Sequence, residues 1–184
     1  MAVNLLTSTE DHASGTYENF LIVIWRHSTP VQEARQLCEN LAALARERGS
    51  EVHLISIVED TARPPNAAAR RALAAVLADN AKVVKSSSVI QEGNGFRASM
   101  VRSIVTGLAM LARPPFPHHV FPLVNDALAY HAEHAGIDYD SNLVLQLRQA
   151  IADLRQVLDD YPRASREKTS DKGRRMDRAV GGGA

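Results

Sequence analysis

The 184-residue chain has little of several things that mark specialised protein classes. Cys38 is its one cysteine, so no disulfide forms within the chain and nothing indicates an oxidising compartment. Aromatic residues make up 5% and the formal net charge is zero, which argues against nucleic-acid and anionic-lipid binding. No apolar run approaches the roughly 18 residues of a membrane span, and the first residues lack the basic start of a signal peptide. We therefore expect a cytoplasmic protein with no membrane span.

The chain does contain a regular alternation of strand-like and helix-like segments between residues 20 and 133. The β-branched runs lie at residues 20–25, 52–58, 82–90 and 119–124, and a helix-like segment follows each of them. This order predicts an α/β domain with a largely buried sheet. Residues 3–6 have the pattern of an additional edge strand, with the polar residues 8–15 as the turn that follows it. We thus predict four to five strands, and Pro122 indicates that the last run is an edge strand.

The helical segments are predicted from apolar residues that recur at three- and four-residue steps. The first runs from about Val31 to Gly49, with Thr29 as its N-cap and Cys38 as a small buried hydrophobe. The next three are predicted at residues 67–78, 96–112 and 126–134, with Asn125 as the cap of the last.

A final amphipathic helix is predicted over residues 142–160, with Ser141 able to cap it. The apolar stripe of this helix must pack on the chain's own sheet, on a second copy of the chain or on a partner protein. We predict that it binds a partner, with homo-oligomerisation as an option. This divides the chain into an α/β domain (1–137), a C-terminal helix (138–161) and a polar, basic, disordered tail (162–184). The predicted partner-binding stripe consists of Leu143, Leu147, Ile151, Leu154 and Leu158.

The order of elements over about residues 19–135 resembles the STAS fold of anti-sigma-factor antagonists. The local phrases that carry the resemblance are the strand at residues 22–25, the strand at residues 54–58, and the stretch Glu92-Gly93-Asn94-Gly95-Phe96-Arg97. The resemblance implies a non-enzymatic module that binds a partner kinase or a similar protein.

Many members of that family are switched by phosphorylation of a Ser or Thr after the strand that matches residues 52–58. The usual Asp-Ser-Ser-Gly signature is replaced here by Glu59-Asp60-Thr61-Ala62. Thr61 is the only hydroxyl residue of this loop, so the resemblance makes it the possible phosphoacceptor. A turn or capping role is the alternative.

A glycine-rich turn precedes the third long helix and suggests a different function. Backbone amides at Gly93, Asn94 and Gly95, together with the guanidinium of Arg97, have the chemistry to hold an anion. The Gly-Lys-Ser/Thr of a P-loop is missing, so an ordinary tight turn is the competing interpretation.

The sequence shows no catalytic constellation. Ser86-Ser87-Ser88 lies within a strand and lacks a nucleophile elbow, and His131 and His134 do not form a metal motif. We predict no catalytic residue, no metal and no cofactor. The leading hypothesis is a non-enzymatic regulatory interaction module of STAS type that docks a partner protein through the sheet-end loops, the helices or the C-terminal helix. The alternatives are a small-molecule or nucleotide-like anion-binding domain and a self-associating scaffold.

Overall fold

The computed structural model describes residues 3–49, 51–93 and 95–161. It describes only the backbone of Phe96, Arg97, Ala98, Leu108 and Leu111. The predicted tail at residues 162–184 lies outside this range. The strands are β1 (Asn4–Ser8), β2 (His12–Tyr17), β3 (Phe20–Trp25), β4 (Val52–Val58), β5 (Val84–Gln91) and β6 (His118–Phe121). The helices are α1 (Val31–Arg48), α2 (Ala67–Asp79), α3 (Gly95–Ala112), α4 (Val124–Ala135) and α5 (Asn142–Asp160).

The six strands form one mixed sheet in the order β1-β2-β3-β4-β5-β6. The first three strands are antiparallel neighbours, and β3 to β6 run parallel. Such parallel pairs need crossover connections, which α1, α2 and α3 provide. The predicted α/β class is confirmed, whereas the predicted count of four to five strands is too low.

The missed strand is β2, which occupies the segment predicted as a turn. Its four central residues, Ala-Ser-Gly-Thr, are small, yet all six residues are buried because the strand pairs on both edges and α5 covers it. A Cβ on Gly15 would lie 2.9 Å from the carbonyl oxygen of Asn4 and 3.3 Å from a methyl of Leu154. Small residues are required here for close packing, and the same composition mimics a turn.

The sheet carries a separate apolar layer on each face. Leu21, Val23 and Trp25 of β3 point to the layer that includes α1 and α2, and the alternating Ile22 and Ile24 point to the layer of α4 and α5. This alternation follows the two-residue period of a strand. The central parallel strands are therefore buried on both faces, as their continuous apolar runs predict.

The apolar stripe of α5 packs on the chain's own sheet. Leu147, Ile151, Leu154 and Leu158 are at most 5% exposed, and Leu143 packs against the same cluster. These side chains contact the core that contains Phe20 and Ile22 rather than solvent. The prediction that the stripe binds a partner is therefore wrong, because its apolar surface is already covered.

The ends of several elements differ from their predictions. Ser141 caps α5 as predicted, with Val144 N–H donating to its hydroxyl at 3.5 Å. Thr29 does not cap α1, since the N-cap position falls on Pro30 and has no side-chain hydrogen bond. The last strand ends at Phe121 because Pro122 has no N–H to continue the ladder, and α4 begins at Val124. The edge position predicted from that proline is confirmed. None of the described helices is long and apolar enough to cross a membrane.

Candidate functional site

Thr61 lies in the loop after β4 and is tied to the neighbouring loop. The residue is exposed, and its hydroxyl donates to the backbone carbonyl of Arg26 at 2.6 Å. The Arg26 guanidinium donates to the Glu59 carboxylate at 2.7 and 3.1 Å and to Asp159 at 2.8 Å. Thr61 thus belongs to a polar junction that joins the β3 and β4 loops to α5. Phosphorylation of Thr61 stays a prediction, and it would have to break this hydroxyl bond.

The glycine turn before α3 has the backbone geometry that only glycine adopts easily. Gly93 and Gly95 have φ values of +87° and +82°. A Cβ on Gly93 would lie 2.8 Å from Cβ of Asp60, so the turn packs closely on the loop after β4. Glu92, next to the turn, is paired with Arg155 of α5. Asn94 and the Arg97 side chain lie outside the described residues, so the anion site stays a prediction.

A cavity of about 80 Å³ lies between the sheet and helices α1 to α3. Its walls are apolar side chains from one face of the sheet and from the helices that cover this face, including Leu54 and Val89 of the sheet and Val101 of α3. The residues Thr29, Arg63 and Pro65, which lie on the loops after β3 and β4, also line it. A single water needs only about 10–15 Å³, so the space exceeds an ordinary packing defect.

Few polar groups line this cavity. Trp25 donates its indole N–H to the Ser56 hydroxyl at 3.1 Å. His118 Nδ1 lies 3.1 Å from the Ser87 hydroxyl, and its Nε2 is buried without a hydrogen-bond partner. Burial, with a smaller effect of the neighbouring His119, lowers the pKa of His118 to about 4. The imidazole is therefore neutral at pH 7, and Nε2 is a donor or an acceptor according to the tautomer.

The opposite face of the sheet contains a buried histidine–serine network. The Ser86 hydroxyl lies 2.7 Å from His53 Nδ1 and 2.9 Å from His131 Nδ1, and the Ser88 hydroxyl lies 2.8 Å from His131 Nε2. Phe20 stacks on His53 with ring centroids 4.7 Å apart. His53 and His131 are 1% and 0% exposed, so no substrate reaches them without an opening of the core. The network cross-links β4, β5 and α4, and it resembles a catalytic pair only in composition.

Burial governs the protonation of both histidines in this network. It lowers the pKa of His53 to about 4, with further lowering by Lys85 and His134. It lowers the pKa of His131 to about 3, with smaller contributions from His53 and His134. Both rings are neutral at pH 7, which suits their hydrogen bonds to hydroxyl groups.

Cys38 has the surroundings of an unreactive thiol. Burial raises the pKa of the Cys38 thiol, and Asn80 donates to its sulfur at 3.1 Å. A high pKa disfavours the reactive thiolate. Within the ranges 3–49, 51–93 and 95–161, no group of three or more His, Cys, Asp and Glu side chains has metal-binding geometry.

Helix α3 presents apolar side chains to solvent. Met100 is 37% exposed and Met110 is 72% exposed. The helix has no acidic residue, and Arg97 and Arg102 are its only charged residues. Gly107, between the methionines, has open space around its Cα, so this face of the helix is uncovered. Surface helices of stable monomers more often carry charged residues on the solvent face.

Two of these features escaped the sequence analysis for physical reasons. His118 and Ser87 are 31 residues apart and meet only through the pairing of β5 with β6. The buried network has a weak signal in the sequence, since His53 interrupts an apolar strand and three serines interrupt another. A polar residue inside a buried strand must form a hydrogen bond, so these interruptions were the signal from which the network could have been predicted.

Comparison with known proteins adds nothing to these observations, since no protein-family model and no curated protein matches the chain.

Proposed function

We propose that the protein is a non-enzymatic regulatory module of STAS type that binds a protein partner through the exposed face of α3. The observation that carries the proposal is the 72% exposure of Met110 on a helix without acidic residues. Methionine side chains are flexible and polarizable, and exposed methionines are frequent on surfaces that bind proteins. Met110 lies beside small and polar exposed residues such as Thr106 and Gly107, so the proposal rests on the exposed methionine itself.

The arrangement of elements supports the STAS part of the proposal. Strand β3 is followed by three helix–strand steps that end at β6, and α4 completes the series. This order is the one on which the resemblance rests. Fold alone does not assign function, so the interaction surface has to carry the argument.

The α3 face is preferred over the α5 stripe and the sheet-end loops as the docking surface. The α5 stripe is buried, which removes it as a surface. The loops after β3 and β4 are held by the Arg26–Glu59 and Arg26–Asp159 ion pairs. The α3 face carries Met110, the most exposed large apolar side chain of the described residues, and burial of that side chain favours association.

A capture experiment with matched variants tests this proposal. The full chain, Met110→Glu and Leu145→Glu are immobilised and exposed to native lysate, and retained proteins are quantified by mass spectrometry. Leu145 is 56% exposed and lies on α5, on the opposite side of the sheet, so its variant controls for a new surface charge. We expect one protein to be retained in stoichiometric amount by the wild type and the control, and about tenfold less by Met110→Glu.

The same experiment has outcomes that would overturn the proposal. Retention of the same protein by all three chains would exclude α3 as the docking surface. Retention of nothing beyond further copies of the chain would favour the self-associating scaffold instead. The anion-binding alternative predicts that added inorganic phosphate abolishes retention of the captured protein by the immobilised chain.

A further inference from the structure

The cavity under α1 to α3 reaches from the middle of the sheet to the loops that follow β3 and β4. Trp25 and Val58, which line it, are the last residues of β3 and β4. Ser87, from the middle of β5, and His118, the first residue of β6, line it as well. The described strands follow one another in sequential order, so this sheet has no switch point, and it is the lining of the cavity that favours a ligand.

The lining of the cavity defines the chemistry of an occupant. Leu54, Val89 and Val101 provide apolar walls, and these side chains are at most 9% exposed. An apolar molecule of suitable size replaces empty space by van der Waals contacts. Arg63 also lines the cavity, but it is an exposed residue, so its charge stays accessible to water and needs no buried counter-ion.

One buried polar atom at the cavity is available to form a hydrogen bond with an occupant. Nε2 of His118 is buried without a partner, whereas Nδ1 of the same ring is paired with Ser87. The indole N–H of Trp25 is already used by Ser56, so it does not compete for the occupant. An unsatisfied buried nitrogen is costly, and a ligand hydroxyl or carbonyl would satisfy it.

We propose that this cavity binds a small, uncharged, mainly apolar molecule with one hydrogen-bonding group, of about the size of phenol. The apolar walls hold the body of the molecule, and His118 Nε2 pairs with its polar group. A neutral imidazole both donates and accepts according to tautomer, so alcohols, phenols and ketones all fit this description. The site is independent of the α3 outer face that binds the proposed partner.

Phenol and toluene form a matched pair of probes, because they differ mainly by a hydroxyl in place of a methyl. Binding to the full chain is followed by methyl NMR shifts of Val101, Val105 and Leu73, which line the cavity. We expect both probes to shift these methyl signals and phenol to bind roughly threefold to tenfold more tightly, as one added hydrogen bond provides. In His118→Phe, this preference for phenol should disappear.

Filling the cavity gives a second, independent test. Val105→Phe places a ring in the space, and we expect it to abolish the shifts with both probes at concentrations that saturate the wild type. Leu145→Phe, a change at an exposed position of α5, should bind as the wild type does. Circular dichroism confirms folding, and Ile104→Phe replaces the first variant if that chain does not fold.

Three results would overturn the inference. One is the absence of methyl shifts with either probe up to its solubility limit, which would mean that the cavity holds water only. Another is equal affinity of the wild type for phenol and toluene. The third is unchanged phenol binding in the folded cavity-filling variant, which would place the probe elsewhere.

Discussion

Acidification should destabilise this protein through its buried histidines. His53, His118 and His131 have pKa values lowered to about 4, 4 and 3, with burial as the largest cause in each case. The reference pKa of an exposed histidine is 6.5. Because the unfolded chain then takes up protons that the folded chain excludes, stability is complete above pH 6.5 and falls as the pH drops towards 4.

The size of the effect follows from these pKa values. At pH 5 an unfolded imidazole is almost fully protonated, whereas the folded ring is almost neutral. Each ring therefore lowers the free energy of unfolding by about 2 kcal/mol between pH 7.5 and pH 5. The three together lower it by roughly 4–6 kcal/mol, allowing for the interaction between His53 and His131. A domain of ordinary stability, about 5–15 kcal/mol, loses a large part of it over this interval.

The assay is urea unfolding by circular dichroism at half-unit steps from pH 7.5 to pH 5. Comparison of variants isolates the histidine contribution from that of the carboxylates. His131→Gln should reduce the slope of unfolding free energy against pH by nearly one proton, or about 1 kcal/mol per pH unit near pH 5.5. Leu145→Gln introduces the same side chain at an exposed position of α5 without removing a titratable group, and it should leave the slope as in the wild type. An unchanged slope in His131→Gln would refute the reasoning, since the buried ring would then titrate in the folded state.

Two further pairs of substitutions test the packing. Leu154→Ala removes a fully buried side chain of α5 and should cost about 2–5 kcal/mol in urea unfolding, while Leu145→Ala at an exposed site of the same helix should cost less than about 0.5 kcal/mol. Equal costs would contradict the docking of α5 on the sheet. Gly93→Ala should lower stability by at least about 1–2 kcal/mol, because φ is +87° and the new methyl meets Asp60. Gly107→Ala, in open space within α3, should instead raise stability by about 0.4–1 kcal/mol; a loss there would indicate that the α3 face is covered.

The elements that follow hydrophobic periodicity were predictable from the sequence. Strand β4 and helix α5 have the predicted bounds, 52–58 and 142–160, because each has an uninterrupted pattern with clear end signals. Strand β2 was not predictable in the same way. Its small central residues are buried through pairing on both edges and contact with α5, and no local pattern records these long-range contacts.

The candidate sites also divide into features that neighbouring residues determine and features that depend on residues far apart in the sequence. The left-handed glycines before α3 follow from a local Gly-Asn-Gly pattern. The sequence identified the α5 stripe as an apolar face. It did not decide whether the stripe packs on the chain's own sheet, on a second copy of the chain or on a partner protein. The cavity and the pairing of His118 with Ser87 depend on strand order, which the sequence did not determine. The exposure of Met110 likewise depends on what covers α3 in the folded chain.

Site-specific photo-cross-linking tests the central claim most directly. A benzoylphenylalanine is introduced at Met110 in one chain and at Leu145 in another, and both are irradiated in native lysate. We predict one heterologous adduct from position 110 and none of the same mass from position 145. The absence of an adduct at position 110, an adduct only with a second copy of the chain, or the same adduct from both positions would contradict partner binding through α3.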